Sequence, residues 1–236
     1  TTLAFVHNKE DGDREFSFYR NPGADMMISE EDVESCRDMI EGSRLFHFST
    51  LSMTHEGCRK ATMKAVDMAA GAGRLISFDP NLREPLWKTL DEAREMVAYG
   101  MSKCHILKIS DNEAEWFCGT DDYDAAAAAF KKTYPNIKLI TISLGKDGSR
   151  GYYKDHIVNA APFLQENTID TTGAGDTCCA CILNYILDHD IEDLSADNIQ
   201  EMLTFANAAA SIITTRKGAL SVMPEKAEIE ELIRRS

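Results

Sequence analysis

Apolar and polar residues alternate in two short runs at the start of the chain, TTLAFV and REFSFYR, on either side of HNKEDGD. That alternation, with the turn-forming pair Asp11-Gly12 between the runs, predicts a β-hairpin over residues 1–20. The rhythm then changes. RLFHFSTLS (44–52), RLISFDPN (74–81), KCHILKIS (103–110) and IKLITISL (137–144) are short apolar runs that read as strands. Between them, HEGCRKATMKAVDMAAGAG (55–73), KTLDEAREMVAYGMS, NEAEWFCG and DAAAAAFKKTY carry helical spacing, and glycines close the first and third. After a GKDGS turn, RGYYKDHIVNAAP predicts a second antiparallel pair. Two long helices, near 174–190 and 197–216, and a last one in EKAEIEELIRR complete the chain.

Strands alternating with helices predict βαβ units, hence an α/β fold with a mainly parallel sheet flanked by helices. Such sheets bind ligands at the carboxyl ends of their strands. SFDPNLR, KISDNEAE and ISLGKDG all follow strands, so the pattern gathers polar motifs along one sheet edge.

Charge narrows the partners. The formal net charge is −14 and no basic cluster relieves it, which argues against a nucleic-acid surface. No apolar run reaches the roughly 18 residues a membrane span needs. Seven cysteines, an odd number without disulfide-like spacing, fit a reducing, cytoplasmic setting.

The densest chemistry lies in NTIDTTGAGDTCCACILNYILDHD, residues 167–190. A helix N-terminus leaves backbone N–H groups unpaired and carries partial positive charge, so it attracts anions. Gly173, Ala174 and Gly175 remove side-chain bulk there, and Asp176 puts a carboxylate in the first turn. Phosphoryl transfer to a hydroxyl uses this pairing: donors neutralise the moving group while a base takes the hydroxyl proton. The plainer reading is an acidic residue complementing the helix dipole beside close-packed glycines.

Other motif readings fail on spacing. GAGDTC puts Cys178 where a dinucleotide fingerprint needs glycine or alanine, and GKD at 145–147 puts Asp147 where a P-loop needs Ser or Thr. Cys178 and Cys181 form a C-x-x-C without a second pair, so with Cys179 they read as small core residues. His47 and His105, each in an apolar strand, read as packed.

Residues 170–176, DTTGAGD, match at every fixed position the Asp-Thr-x-Gly-Ala-Gly-Asp pattern of the ribokinase-like (PfkB) carbohydrate kinases, which the chain resembles from residue 2 to its end. DNEAE (111–115) resembles the family's Asn-x-x-Glu element, ISLGKDGS (142–149) its nucleotide-binding turn, and FANAAASIITTRKGA (205–219) its adenine-side helix and loop. FSFYRNPGADMMIS (16–29) and SFDPNLREPLW (77–87) resemble the fructokinase and 2-keto-3-deoxygluconate kinase branch. The resemblance implies that residues 1–20 belong to a β lid and 21–236 to an α/β nucleotide- and sugar-binding domain. It also implies that the family's N-terminal segment, which precedes mid-lid sequence in relatives, is absent from this chain.

The same resemblance implies roles. Asp176 would be the base, and the amides of Gly173, Ala174 and Gly175 the anion hole. Asn112 and Glu115 would face the triphosphate and hydrated Mg²⁺, although their spacing also resembles a helix capping box. Ser143, Gly145 and Gly148 would shape the loop under ATP, and Asn207 would lie near the adenine. Asp170 and Thr172 would line a monovalent-cation site for K⁺. Arg20 and Arg83 would contact the acceptor, against a plainer reading of Arg20 as a solvated cation and Arg83 as a helix-start residue. A homodimer through the lid is also implied, with a fructose-type sugar as acceptor and a sugar acid or ribose as the alternatives.

Overall fold

The computed structural model describes residues 2–8, 14–20 and 23–236. Its two opening strands, β1 (Leu3–Asn8) and β2 (Arg14–Tyr19), pair antiparallel with Leu3 opposite Tyr19 and Phe5 opposite Ser17. The Asp11-Gly12 turn expected between them lies outside the described residues. The chain divides into two units, Thr1–Cys104 and His105–Ser236.

In the first unit, two short helices that the apolar pattern did not announce precede the next strand: α1 (Glu30–Ser35) and α2 (Arg37–Gly42). Their signal was a cap rather than a period. Ser29 Oγ accepts the Asp32 N–H at 3.2 Å, and Asp32 Oδ2 accepts the Ser29 N–H at 2.8 Å, so two orphan amides at the helix start are satisfied reciprocally. Val33 and Ile40 then pack on α3 (Glu56–Gly71) against Ala61, Ala65, Met68 and Ala69.

Strand β3 (Leu45–Ser49) pairs parallel with β4 (Leu75–Asp79), from Leu45 opposite Leu75 to Ser49 opposite Asp79. The strand expected to run to residue 52 stops at Ser49. Thr50 donates both its N–H, at 3.2 Å, and its hydroxyl, at 2.6 Å, to the Pro80 carbonyl, and this turns the chain into a 3-10 segment over Thr50–Met53. His47 is exposed rather than packed, because alternation turns Phe48 inward and His47 out; its Nδ1 lies 3.1 Å from Ser77 Oγ on β4. Helix α4 (Leu90–Lys103) crosses β4 at Gly100, where a Cβ would fall 2.3 Å from the Phe78 ring.

The second unit alternates β5 (Ile106–Ser110), α5 (Asp111–Cys118), α6 (Tyr123–Thr133) and β6 (Leu139–Ser143). β5 and β6 are parallel, with Ser110 opposite Ser143 at their carboxyl ends. The sheet then reverses through β7 (Ser149–Tyr153) and β8 (His156–Ala160), the expected antiparallel pair. Three helices follow: α7 (Ala174–Asp188), α8 (Ala196–Ile213) and α9 (Lys226–Arg235). α8 lies on β7 at Gly151, where a Cβ would meet Ile199 at 2.7 Å, and α9 covers Ala208 and Ala209 of α8 with Ile229. The fold is α/β, a mainly parallel sheet flanked by helices with a two-stranded antiparallel lid, as the pattern predicts. No helix among the described residues is long and apolar enough to cross a membrane.

His105, just before β5, is half-buried, and burial followed by the Lys138 charge lowers its pKa from 6.5. The unfolded chain therefore binds this proton at a higher pH than the folded one. Stability should fall as pH drops through 6.5 toward the depressed folded value. His105→Asn should flatten that part of the pH profile of urea unfolding midpoints, leaving the acid limb set by carboxylates.

Candidate active site

The loop into α7 is held from behind by the end of α8. The Ile169 and Asp170 amides both donate to the Thr214 carbonyl, at 2.9 and 3.1 Å. Asp170 Oδ1 then accepts the Thr172 N–H at 2.9 Å, an Asx turn that folds the chain back on itself. Gly173 follows in the left-handed region, φ 80° and ψ 0°, as the N-cap of α7. A side chain there would be strained by that φ and would meet Ile213 Cδ1 at 3.4 Å.

This turn decides which amides are available. Ala174 N–H donates to the Thr171 carbonyl at 3.2 Å, inside the turn. The first helical bond runs from Thr177 N–H to the Gly173 carbonyl at 2.8 Å. The amides of Gly173, Gly175 and Asp176 donate to no backbone carbonyl among the described residues. Gly175 and Asp176 are exposed, so the tip is open rather than covered by packing. An open helix N-terminus with a carboxylate in its first turn can hold an anion beside a base.

A residue that sequence reasoning passed over stands at the same tip. Apart from its chain neighbours and the backbone of its own helix, the atom met by a Cβ at Gly175 among the described residues is Lys108 Nζ, at 3.3 Å. Lys108 is a β5 residue, 6% exposed, opposite Thr141 of β6. Its signal was a charge inside an otherwise apolar run, HILKI.

At the end of β5 the capping pair is Ser110 and Glu113, so the plainer capping-box reading of Asn112 and Glu115 does not hold. Ser110 N–H and Oγ–H donate to Glu113 Oε2 at 2.9 and 2.8 Å, and Ser110 Oγ accepts the Glu113 N–H at 3.3 Å. The strand ends at Ser110, so the three-residue spacing counts from there. Asn112 and Glu115 sit within α5, both exposed and one turn apart.

Ser143 ends β6, and the β6–β7 loop carries Gly145 and Gly148. Gly145 and Gly148 have φ of 56° and 91°, and a Cβ on Gly148 would lie 2.2 Å from the Ala160 carbonyl oxygen, a contact only glycine permits. Asn207 braces the same corner. Its Nδ2 donates to the carbonyls of Ala160, at 3.2 Å, and Ala161, at 3.0 Å, while its Oδ1 accepts the Ser149 hydroxyl at 2.9 Å. Both amide protons are used inside the protein, so Asn207 braces the β6–β7 loop against the end of β8.

Arg20 and Arg83 belong to the first unit. Arg20 is not a solvated cation: Nε donates to Asp25 Oδ2 at 2.7 Å, Nη1 to Thr54 Oγ1 at 2.7 Å and Nη2 to the Leu51 carbonyl at 3.2 Å. These bonds tie the end of the lid to the segment after β3. Arg83 is half-buried, precedes the 3-10 turn Glu84–Leu86 and donates from Nη1 to the Leu82 carbonyl at 3.0 Å.

All seven cysteines are free thiols. Cys178 and Cys179 are buried, and burial, with the neighbouring Cys178 second, pushes the Cys181 thiol up to about 12. The C-x-x-C is therefore core, not a thiolate pair. No group of three or more His, Cys, Asp or Glu side chains among the described residues could hold a metal ion.

A model of the pfkB family of carbohydrate kinases matches residues 1–226. The chain is 40% identical over 228 residues to "Probable fructokinase-2" of Arabidopsis thaliana, covering 97% of this chain and 68% of that protein. It is 37% identical over 234 residues to "Fructokinase-2" of Solanum lycopersicum, covering 99% and 70%. Among solved structures, a fructokinase with bound ATP from Xylella fastidiosa superposes with a TM-score of 0.85 at 26% identity, over all of this chain and 74% of that one. A putative ribokinase II of E. coli in complex with ATP and Mg²⁺ gives 0.84 at 25% identity, over 100% and 71%.

Asn207 separates a brace from a ligand. Asn207→Ala leaves two carbonyls and a hydroxyl without their partner and should cost about 1–3 kcal/mol in urea unfolding. ATP affinity of the folded variant should change little if Asn207 acts only as a brace; a large affinity loss at unchanged stability would make it an adenine contact.

Proposed function

Because the chain belongs to the pfkB family of carbohydrate kinases, we propose that it transfers the terminal phosphoryl group of ATP to a sugar hydroxyl, with a fructose-type ketose as acceptor. The observation that carries this reading is the open tip of α7: free amides at Gly175 and Asp176, made available by the left-handed Gly173, with the Asp176 carboxylate in the same turn. The acceptor follows from the fructokinases that the chain resembles at 37–40% identity.

In this mechanism Asp176 takes the proton of the attacking hydroxyl as the sugar oxygen closes on the terminal phosphorus. The bond between that phosphorus and its bridging oxygen breaks, and ADP leaves with the electron pair. The Gly173, Gly175 and Asp176 amides hold the equatorial oxygens, where charge is concentrated during transfer. Gly145 and Gly148 let the β6–β7 backbone lie close to the nucleotide, and Asn207 fixes that loop through Ser149 and Ala160. Ser143 lies at the carboxyl end of β6 beside Ser110, on the same nucleotide side.

The exposed oxygen donors Asn112 and Glu115 on α5 suit a hard, hydrated Mg²⁺ carried on the phosphates. When bound, that ion neutralises phosphate charge. Asn112 and Glu115 of α5 are the groups we assign to its water shell. Asp170 and Thr172, joined by the bond from the Thr172 N–H to Asp170 Oδ1, are the residues we assign to a K⁺ site beside the tip of α7.

Arg20 and Arg83 are assigned to the acceptor. A sugar acid such as 2-keto-3-deoxygluconate would use the guanidinium at Arg83 through its carboxylate. A homodimer through the lid is part of the same proposal, supported by Leu3, Phe5 and Tyr19, which are 49%, 51% and 65% exposed on the hairpin.

The test is ADP release on fructose, ribose and 2-keto-3-deoxygluconate, for the chain and for Asp176→Ala. The variant should lose about 100- to 10,000-fold in kcat while retaining ATP affinity. Turnover equal to that of the parent chain would remove Asp176 as the base. ATP binding with no sugar-dependent turnover by the parent chain would leave a nucleotide-binding module in place of an enzyme.

A further inference from the structure

We propose that the groove between α7, α8 and α9 is a docking site for a basic amphipathic helix of another polypeptide. The groove belongs to the second unit, and its role does not depend on the phosphoryl-transfer reading.

Periodicity carries it. Thr177, Ala180, Cys181, Asn184 and Asp188 of α7 line the groove, and their spacing of three and four residues is one face of a helix. α8 turns Asp197, Glu201, Thr204 and Phe205 to the same space, and α9 turns Ile229 and Ile233. Three helical stripes thus enclose about 1010 Å³, at the upper end of the roughly 300–1,000 Å³ that small-molecule sites occupy. From Thr177 to Asp188 the α7 wall runs about 16 Å, the length of a three-turn helix. Ala180 and Cys181 are small enough to let a second backbone come close. Cys181, Phe205 and Ile233 are only partly covered by the packing of α9 on Ala208 and Ala209. An incoming helix with an apolar stripe would complete that layer.

Two polar features orient the occupant. Thr177 is 3% exposed, and its hydroxyl has no hydrogen-bond partner among the described residues. A helical threonine can return that hydroxyl to the carbonyl one turn back. Here the Gly173 carbonyl takes the Thr177 N–H instead, at 2.8 Å. A side-chain amide at one end of the docked helix would give the hydroxyl a partner.

The other end of the groove is acidic. Tyr185 Oη–H donates to Glu201 Oε2 at 3.0 Å and accepts from Asn198 Nδ2 at 3.2 Å, which sets the start of α8 beside the end of α7. Asp188 stands in the last turn of α7, where the dipole is negative and no basic residue is present. Neither it nor Asp197 nor Glu201 joins an ion pair among the described residues, whereas Lys226 and Arg234 of α9 are matched by Glu230 and Glu231. A second copy of this chain, at net charge −14, is repelled by that end. The occupant is therefore a different polypeptide, with lysine or arginine in its C-terminal turn, where those residues also suit its own dipole.

The probe is a fluorescein-labelled, amidated peptide of about 14 residues, read by anisotropy against the full chain. It starts with glutamine, carries leucine and alanine at three- and four-residue spacing, and ends in lysines. Scrambling the stripe at fixed composition should weaken binding about tenfold, and so should changing the lysines to glutamates. Ala180→Arg, at an exposed position, should abolish binding with the urea midpoint unchanged. Asp188→Lys should reverse the preference toward the glutamate-ended peptide, a readout that survives if the Ala180 variant folds poorly. Thr177→Val should weaken the parent peptide about threefold, because its glutamine then meets no hydroxyl. Equal affinity for striped and scrambled peptides, or undiminished binding by folded Ala180→Arg, overturns the docking site, as does a striped peptide that fails to bind. A dimer of the free chain in sedimentation, dissociated by Ala180→Arg, would put a second copy in the groove and equally overturn a foreign helix.

Discussion

The left-handed turn at Gly173 is the constraint on which the site depends. A helix that begins in the ordinary way buries its first amides against a capping side chain, as α1, α5 and α8 do with Ser29, Ser110 and Ser195. α7 has no side-chain cap. Its start is held instead by backbone: two amides on the Thr214 carbonyl, an Asx turn at Asp170, and Ala174 bonded to Thr171. The turn is thus satisfied from within, and its outward amides remain for a ligand. Replacing that arrangement with a serine cap would stabilise the helix start and close the site.

The tall features of this fold were legible because they are periodic. Apolar runs marked β4, β5 and β6, and helical spacing marked α3, α7 and α8, each to within a few residues. What escaped was set by single contacts that have no period. α1 and α2 are too short for a stripe and were announced only by Ser29 and Asp32. The capping pair of α5 was displaced because KISDNEAE offers two three-residue spacings, and only the end of β5 chooses between them. Asn207 looked like a polar residue on a helix until its three partners came from β7 and the end of β8, more than forty residues away.

The site itself was legible in part for the same reason. DTTGAGD lies contiguous in the chain, so its chemistry could be read before any fold. The selection among its amides could not, since it turns on the φ of Gly173 and on Thr214, a residue from another helix. Lys108 was invisible in a different way. A lone charge in a strand reads as an edge or a flaw until topology brings β5 beneath the start of α7.

These pieces bear on how a chain of net charge −14 can receive a triphosphate. Its long-range field repels such a ligand, so attraction has to come from short-range groups inside a Debye length. Backbone amides provide it without adding charge, and a helix tip concentrates them at one point. Distributing basic residues over the surface would also draw in nucleic acids and other polyanions. Confining the positive potential to one turn keeps the attraction selective for an anion small enough to reach it.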